Sequence, residues 1–109
     1  MSILANLLFG GCADKDADIP ALIKEGALVI DTRTAGEYAG GHIDGSINIP
    51  YDSTAHSIGK YQKDKSKYII VYCHSGARSS SAKKMLTGAG YTNVVNGGSL
   101  HRMQKYLTG

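Results

Sequence analysis

No stretch of this 109-residue chain approaches the roughly 20 consecutive apolar residues that a membrane-crossing helix requires. Strong charge of either sign is also missing. The formal net charge is +3, and the lysines (Lys60, Lys63, Lys65, Lys67, Lys83 and Lys84) are scattered, without the dense basic stripe that nucleic-acid binding needs. They read as a solvated face that helps attract small anions. Cysteine is scarce: Cys12 and Cys73 are the only two, too few to make a disulfide scaffold. Neither belongs to a C-x-x-C pair, and His42, His56, His74 and His101 show no ligand spacing. No metal site is expected from such a pattern, and no cofactor. Internal repeats and low-complexity segments are absent too. What remains, at 42% hydrophobic and 19% charged residues, is one globular domain with a modest single core.

Met1 to Cys12 superficially resemble a bacterial lipoprotein signal. No basic residue precedes its apolar part, however, and that part spans only about seven residues, the minimum for export. A short amphipathic helix stopped by Gly10-Gly11, with Ile3, Leu4, Leu7 and Leu8 on one face, is simpler. The expected organisation is therefore an N-terminal helix and linker over 1–17 and a folded domain over 18–109, in the cytoplasm. Export or lipid anchoring through Cys12 is the alternative, and a free surface thiol is the plain reading of Cys12.

Strands and helices alternate along the rest. Asp18 or a neighbour caps a helix with Pro20 in its first turn, running through Ala21 to Glu25 and ending at Gly26. Ala27-Leu28-Val29-Ile30-Asp31 is a short buried strand. A brief helix begins near Thr34, passes Glu37-Tyr38-Ala39 and stops at Gly40-Gly41. Two glycine turns then flank a short extended segment that Pro50 closes. Residues 52–62 read as an irregular helix, and Lys63 to Lys67 as a charged turn. A helix from about Ser79 carries Ala82, Met85 and Leu86 inward and stops at Gly88 or Gly90. Tyr91 to Val95 is the last strand, followed by Asn96-Gly97-Gly98 and a final amphipathic helix from about Ser99 to Leu107. This alternation implies an α/β sandwich with a mostly parallel sheet, whose ligands collect outside the carboxyl ends of the strands.

Cys73 falls at such an end. Tyr68-Ile69-Ile70-Val71-Tyr72 is a buried strand, and Ser79-Ser80-Ser81 reads as the serine cap of the next helix. The loop between them aims backbone N–H groups into one small space, which is how proteins hold an anion. The helix dipole and Arg78 both favour thiolate on Cys73. Nucleophile, anion cradle and cation thus occupy Cys73 to Arg78. The plainer readings are an inert buried cysteine and an arginine paired with a surface carboxylate. His74 suits loop shaping or solvent better than general-base work. Asp31 and Arg33 are expected to hold neighbouring loops by a salt bridge, and His42 to do similar work in its glycine-flanked turn.

These features, in this order, resemble the single-domain rhodaneses. The resemblance rests on Val29-Ile30-Asp31-Thr32-Arg33, Glu37-Tyr38, Gly41-His42-Ile43-Asp44-Gly45-Ser46-Ile47-Asn48-Ile49-Pro50, and Val71-Tyr72-Cys73 with its loop closed by Arg78. It covers the chain from about Pro20 onward, and implies a three-layer α/β sandwich with a mostly parallel sheet flanked by helices. It also implies sulfurtransferase chemistry. Cys73 would attack the outer sulfur of a small anionic donor such as thiosulfate, release sulfite and carry a persulfide. Cyanide or a thiol, on a small molecule or a protein, would then take the sulfur. His74, Ser75, Gly76, Ala77, Arg78 and Ser79 would bind the substrate, with neither nucleic acid nor membrane as partner. Similar phosphatases carry one residue more in the loop, so the Cys73-x4-Arg78 spacing favours sulfur over phosphate; a phosphatase or arsenate reductase is the weaker alternative. Two departures keep a persulfide carrier in view as well. His74 stands where many thiosulfate-cleaving members have a basic residue, and no tryptophan follows Gly97-Gly98.

Overall fold

The structure is a computed structural model that describes residues 13–14 and 16–108. The N-terminal helix expected over residues 3–8 and Cys12 lie outside the described residues. A four-stranded, wholly parallel sheet forms the middle layer, in the order β2-β1-β3-β4. Its strands are β1 (Leu28–Asp31), β2 (Ile47–Asn48), β3 (Ile69–Cys73) and β4 (Val94–Ser99). The helices are α1 (Ile19–Lys24), α2 (Ala35–Ala39), α3 (Thr54–Ser57, continued by a 3-10 turn over Ile58–Lys60), α4 (Ala77–Gly88) and α5 (Leu100–Thr108). The architecture is the α/β sandwich that the alternation implies. No helix among the described residues is long and apolar enough to cross a membrane.

Two apolar clusters cover the two faces of the sheet. Ile30, Ile69, Val71 and Val94 face Ile58 and Leu86 on one side, while Val29, Ile70, Tyr72 and Val95 face Ile19 and Met103 on the other. Successive strand residues point to opposite faces, so β3 is buried along its whole length and reads as a continuous apolar run. β3 pairs with β1 on one side and β4 on the other. Chain connections diverge here, from β1 outward to β2 and from β3 outward to β4. A crevice at the carboxyl ends of β1 and β3 is the natural ligand position in such a sheet.

Local chemistry sets the helix boundaries. Asp18 accepts a hydrogen bond from the Ala21 amide at 3.2 Å and caps α1, with Pro20 in the first turn. Thr34 and Glu37 form a reciprocal capping box on α2. α4 departs from expectation: it starts at Ala77, and no serine caps it. Gly76 is its N-cap, at φ +96°, a left-handed conformation that costs glycine little. Ser79, Ser80 and Ser81 therefore lie inside the first turns. Met85 is 40% exposed, not inward, while Ala82 and Leu86 are buried.

The last strand is also displaced. It begins at Val94 and runs through the glycines to Ser99, because a bulge offsets the β3–β4 register: Val71 pairs with Asn96 and Tyr72 with Gly98. Gly97, the extra residue, has no room for a side chain, since a Cβ there would overlap Sδ of the buried Met103. Ser99 caps α5 by accepting from the Arg102 amide at 3.0 Å.

Candidate active site

Cys73 ends β3 as a fully buried free thiol. The loop turns sharply over its sulfur. The left-handed conformation of Gly76 aims its amide at Sγ, 2.9 Å away, and the Ser79 hydroxyl lies 3.5 Å from Sγ. The Ser75 and Ser79 backbone amides also favour the charged form of the sulfur. Burial alone pushes the Cys73 thiol up, yet these donors together outweigh it and hold its pKa below the ordinary thiol value. The site is an anion hole with a sulfur at its focus.

Ser79 has only one proton to donate, and three acceptors surround it: Cys73 Sγ, the Gly76 carbonyl at 3.1 Å and Asn96 Oδ1 at 2.7 Å. The Gly98 amide also donates to Asn96 Oδ1, at 2.9 Å, so the hydroxyl can turn to a thiolate without stranding that oxygen. Ser79→Ala removes this donor. The midpoint of Cys73 alkylation by iodoacetamide, which in the intact protein lies below that of an ordinary thiol, is therefore expected to move to higher pH. An unmoved midpoint would show that the amides alone set it.

Sequence reasoning missed Asn96. It is fully buried in β4, and its Nδ2 reaches the Gly76 carbonyl at 3.3 Å while Oδ1 holds Ser79. It thereby ties the loop to the sheet. The available signal was a lone amide side chain directly after Val94-Val95. Asp14, within the stretch expected to be linker, fastens the outer side of this strand. Its amide donates to the Asn96 carbonyl at 2.8 Å, and its carboxylate accepts from the Asn96 amide at 2.9 Å and pairs with Lys83 at 2.5 Å.

Arg78 takes the carboxylate partner that was its plainer reading. Its two terminal nitrogens meet both oxygens of Glu37 at 2.9 and 3.0 Å, a bidentate pair between α4 and α2. Hydrogen bonds from Arg78 first, then from Thr34, lower the Glu37 carboxyl to about 2, so the pair persists at every pH above that. The expected loop cation is thus engaged by the protein itself. His74, Ser75 and Ala77 are exposed, whereas Gly76 and Ser79 are buried.

Asp31 and Arg33 form a buried pair at the end of β1. Arg33 Nε and Nη2 donate to the Asp31 carboxylate at 2.6–3.1 Å, and Nη2 also donates to the Gly41 carbonyl at 2.6 Å. This joins the end of β1 to the glycine turn. Beneath it, Tyr72 accepts from the Ile43 amide at 3.0 Å, and burial pushes its phenol up to about 12, so it stays neutral. His42 is exposed, stacked on Tyr38 with ring centroids 3.6 Å apart, and its Nδ1 meets the Tyr38 carbonyl at 2.7 Å. It shapes the turn and does not touch Cys73. Among the described residues no group of His, Cys, Asp and Glu is arranged to hold a metal ion.

Comparison with known proteins agrees with this geometry. Residues 16–99 match the Rhodanese-like domain model. The chain is similar to thiosulfate sulfurtransferase PspE of Escherichia coli (strain K12), at 39% identity over 71 residues, which are 65% of this chain and 68% of that protein. It is similar also to the thiosulfate:glutathione sulfurtransferase of Saccharomyces cerevisiae (strain ATCC 204508 / S288c), at 35% identity over 78 residues, spanning 62% of this chain and 56% of that one. Among solved structures, a rhodanese with anions from E. coli superposes with a TM-score of 0.69 at 36% identity, over 71% of this chain and 91% of that one. The match runs through fold and cysteine loop alike, from residue 16 to residue 99, and the chain belongs to the rhodanese-like domain family.

Proposed function

We propose that this protein is a sulfurtransferase that moves sulfane sulfur through a persulfide on Cys73. The reading is carried by one observation: the Cys73 sulfur receives the Gly76 amide at 2.9 Å and the Ser79 hydroxyl at 3.5 Å, with its pKa lowered. In the first step the thiolate attacks the outer sulfur of thiosulfate. A bond forms between Sγ and that sulfur, the thiosulfate S–S bond breaks, and sulfite leaves with the electron pair. In the second step cyanide or a thiolate attacks the outer persulfide sulfur and the Cys73 thiolate departs, ready for another cycle. The negative charge rests on the outer sulfur between the steps, where preorganised amides stabilise it without reorganising. Arg78 and Glu37 brace the loop in this scheme. The chain's similarity to a thiosulfate sulfurtransferase of E. coli and a thiosulfate:glutathione sulfurtransferase of yeast supports both the donor and a thiol acceptor.

The commitment of Arg78 to Glu37 favours a second reading, a persulfide carrier that turns over thiosulfate poorly, because no fixed cation of the loop is free to hold the donor. The same engagement speaks against phosphatase or arsenate-reductase chemistry, which needs that cation for an oxyanion. Thiocyanate formation from thiosulfate and cyanide, with mass spectrometry of the intact protein, tests these readings. Saturable turnover and one added sulfur on Cys73 are expected. Added sulfur without turnover identifies a carrier, and the absence of both turnover and added sulfur would overturn sulfur transfer.

A further inference from the structure

Arg78 is the one arginine or lysine among residues 73–79, and in the resting protein an internal carboxylate holds it. Three observations show that this hold is exchangeable. The side chains of the pair are 31% and 35% exposed, so solvent screens it and eases a change of partner. Glu37 keeps good partners without Arg78: its Oε1 also accepts from the Thr34 amide and the Thr34 hydroxyl, both at 3.0 Å, and its exposure lets Oε2 turn to water. The guanidinium, for its part, hydrogen-bonds to no group but Glu37 among the described residues.

The second claimant is an anion at the sulfur. The Glu37 hydrogen bonds come first among the influences that raise the Arg78 pKa, and the charge of Cys73 is among the others, so the guanidinium already lies in the field of the sulfur. Arg78 stands in the first turn of α4, directly before Ser79, whose hydroxyl lies 3.5 Å from Sγ. An anion seated at the loop mouth therefore competes with Glu37 for one fork, which suits carboxylate and thiosulfate oxygens alike. We propose that Glu37 sets the donor specificity of Cys73 as an internal competitor: it occupies Arg78, and an anionic donor obtains that cation only by displacing it. This rests on the sulfur-transfer reading above. Glu37 is then a positioning residue that acts through Arg78, and more than a brace. Only the fraction of molecules with Arg78 free binds an anionic donor at full strength, so the apparent affinity falls by that fraction. A neutral reagent at Cys73 is indifferent to the exchange.

Two alkylating reagents that differ in charge read the exchange without any sulfur donor. Iodoacetate and iodoacetamide each lose iodide to the Cys73 thiolate, and only the first is an anion. Their rates are measured above the Cys73 titration midpoint, in a Cys12→Ser background that leaves one thiol. The proteins compared are this parent, Glu37→Gln, Glu37→Gln/Arg78→Gln and Asp64→Asn. Glutamine keeps the oxygen that Thr34 uses, so the capping box survives. Asp64, in the turn before β3, controls for the loss of one negative charge. The ratio of the iodoacetate rate to the iodoacetamide rate is expected to rise about two- to fivefold in Glu37→Gln, the span that an exposed ion pair withholds. It should return to the parent value or below in the double variant and stay level in Asp64→Asn. kcat/KM for thiosulfate should rise with the ratio in Glu37→Gln. A ratio that is level or lower in Glu37→Gln, an equal rise in the double variant or in Asp64→Asn, or a fall in kcat/KM for thiosulfate would overturn the proposal. If the ratio rises only where Arg78 is freed while no sulfur moves in any variant, the control of Arg78 by Glu37 stands and the sulfur-transfer reading fails.

Discussion

Cys73→Ala is expected to abolish thiocyanate formation, a loss of at least about a thousandfold, because covalent catalysis has no substitute for its nucleophile. Cys73→Ser does the same while preserving almost all of the packing, since the hydroxyl does not ionise near neutral pH even among the loop donors. The two variants together separate chemistry from folding. Cys73 is fully buried, so alanine leaves a small void and serine leaves none, yet both should lack the added sulfur by mass spectrometry. The rate of the intact protein should rise with pH as Cys73 ionises, and reach its plateau at lower pH than an ordinary thiol would allow. Activity retained in Cys73→Ala would move the nucleophile elsewhere and sink the mechanism.

Asp31→Ala lowers stability by about 3–5 kcal/mol, the usual cost of removing one partner of a buried ion pair. Asp31 is wholly buried and Arg33 is 5% exposed, so the guanidinium left behind has neither water nor carboxylate. The loss should appear as a fall in Tm of more than about 10 °C, given about 4–8 °C per kcal/mol in a domain of this size. Asp31→Ala/Arg33→Met should recover part of it, because an apolar replacement of the whole pair removes the stranded charge. The recovery is incomplete, since Arg33 also holds the Gly41 carbonyl and Asp31 the Arg33 amide at 2.9 Å. A single-variant Tm near that of the intact protein would show that solvent reaches the pair.

The parts of the site that could be read from the chain are those that are contiguous in it. A buried apolar run, a cysteine at its end, a glycine three residues on and an arginine two after that specify a strand, a turn and a helix start. The geometry of the thiol cradle follows from them. Three consecutive serines look like a helix cap, whereas the left-handed Gly76 takes that position three residues before Ser79. The end of β4 was misread for a related reason: Asn96-Gly97-Gly98 has turn composition, but the bulge keeps it in the sheet against Met103.

The sequence by itself determined the α/β class, the alternation of elements, the caps at Asp18 and Thr34, and the place of Cys73 at the end of a buried strand. Each depends on neighbours within a few residues, where propensity, periodicity and capping act. Only the tertiary structure decided what the charges do. Arg78 meets Glu37 across 41 positions, Asp14 meets Lys83 across 69, and Asn96 reaches Ser79 across 17. A cation in a loop is attracted to any carboxylate the fold delivers, and parallel crossovers bring distant segments together at the carboxyl edge of the sheet. That edge is where Arg78 is taken up by Glu37.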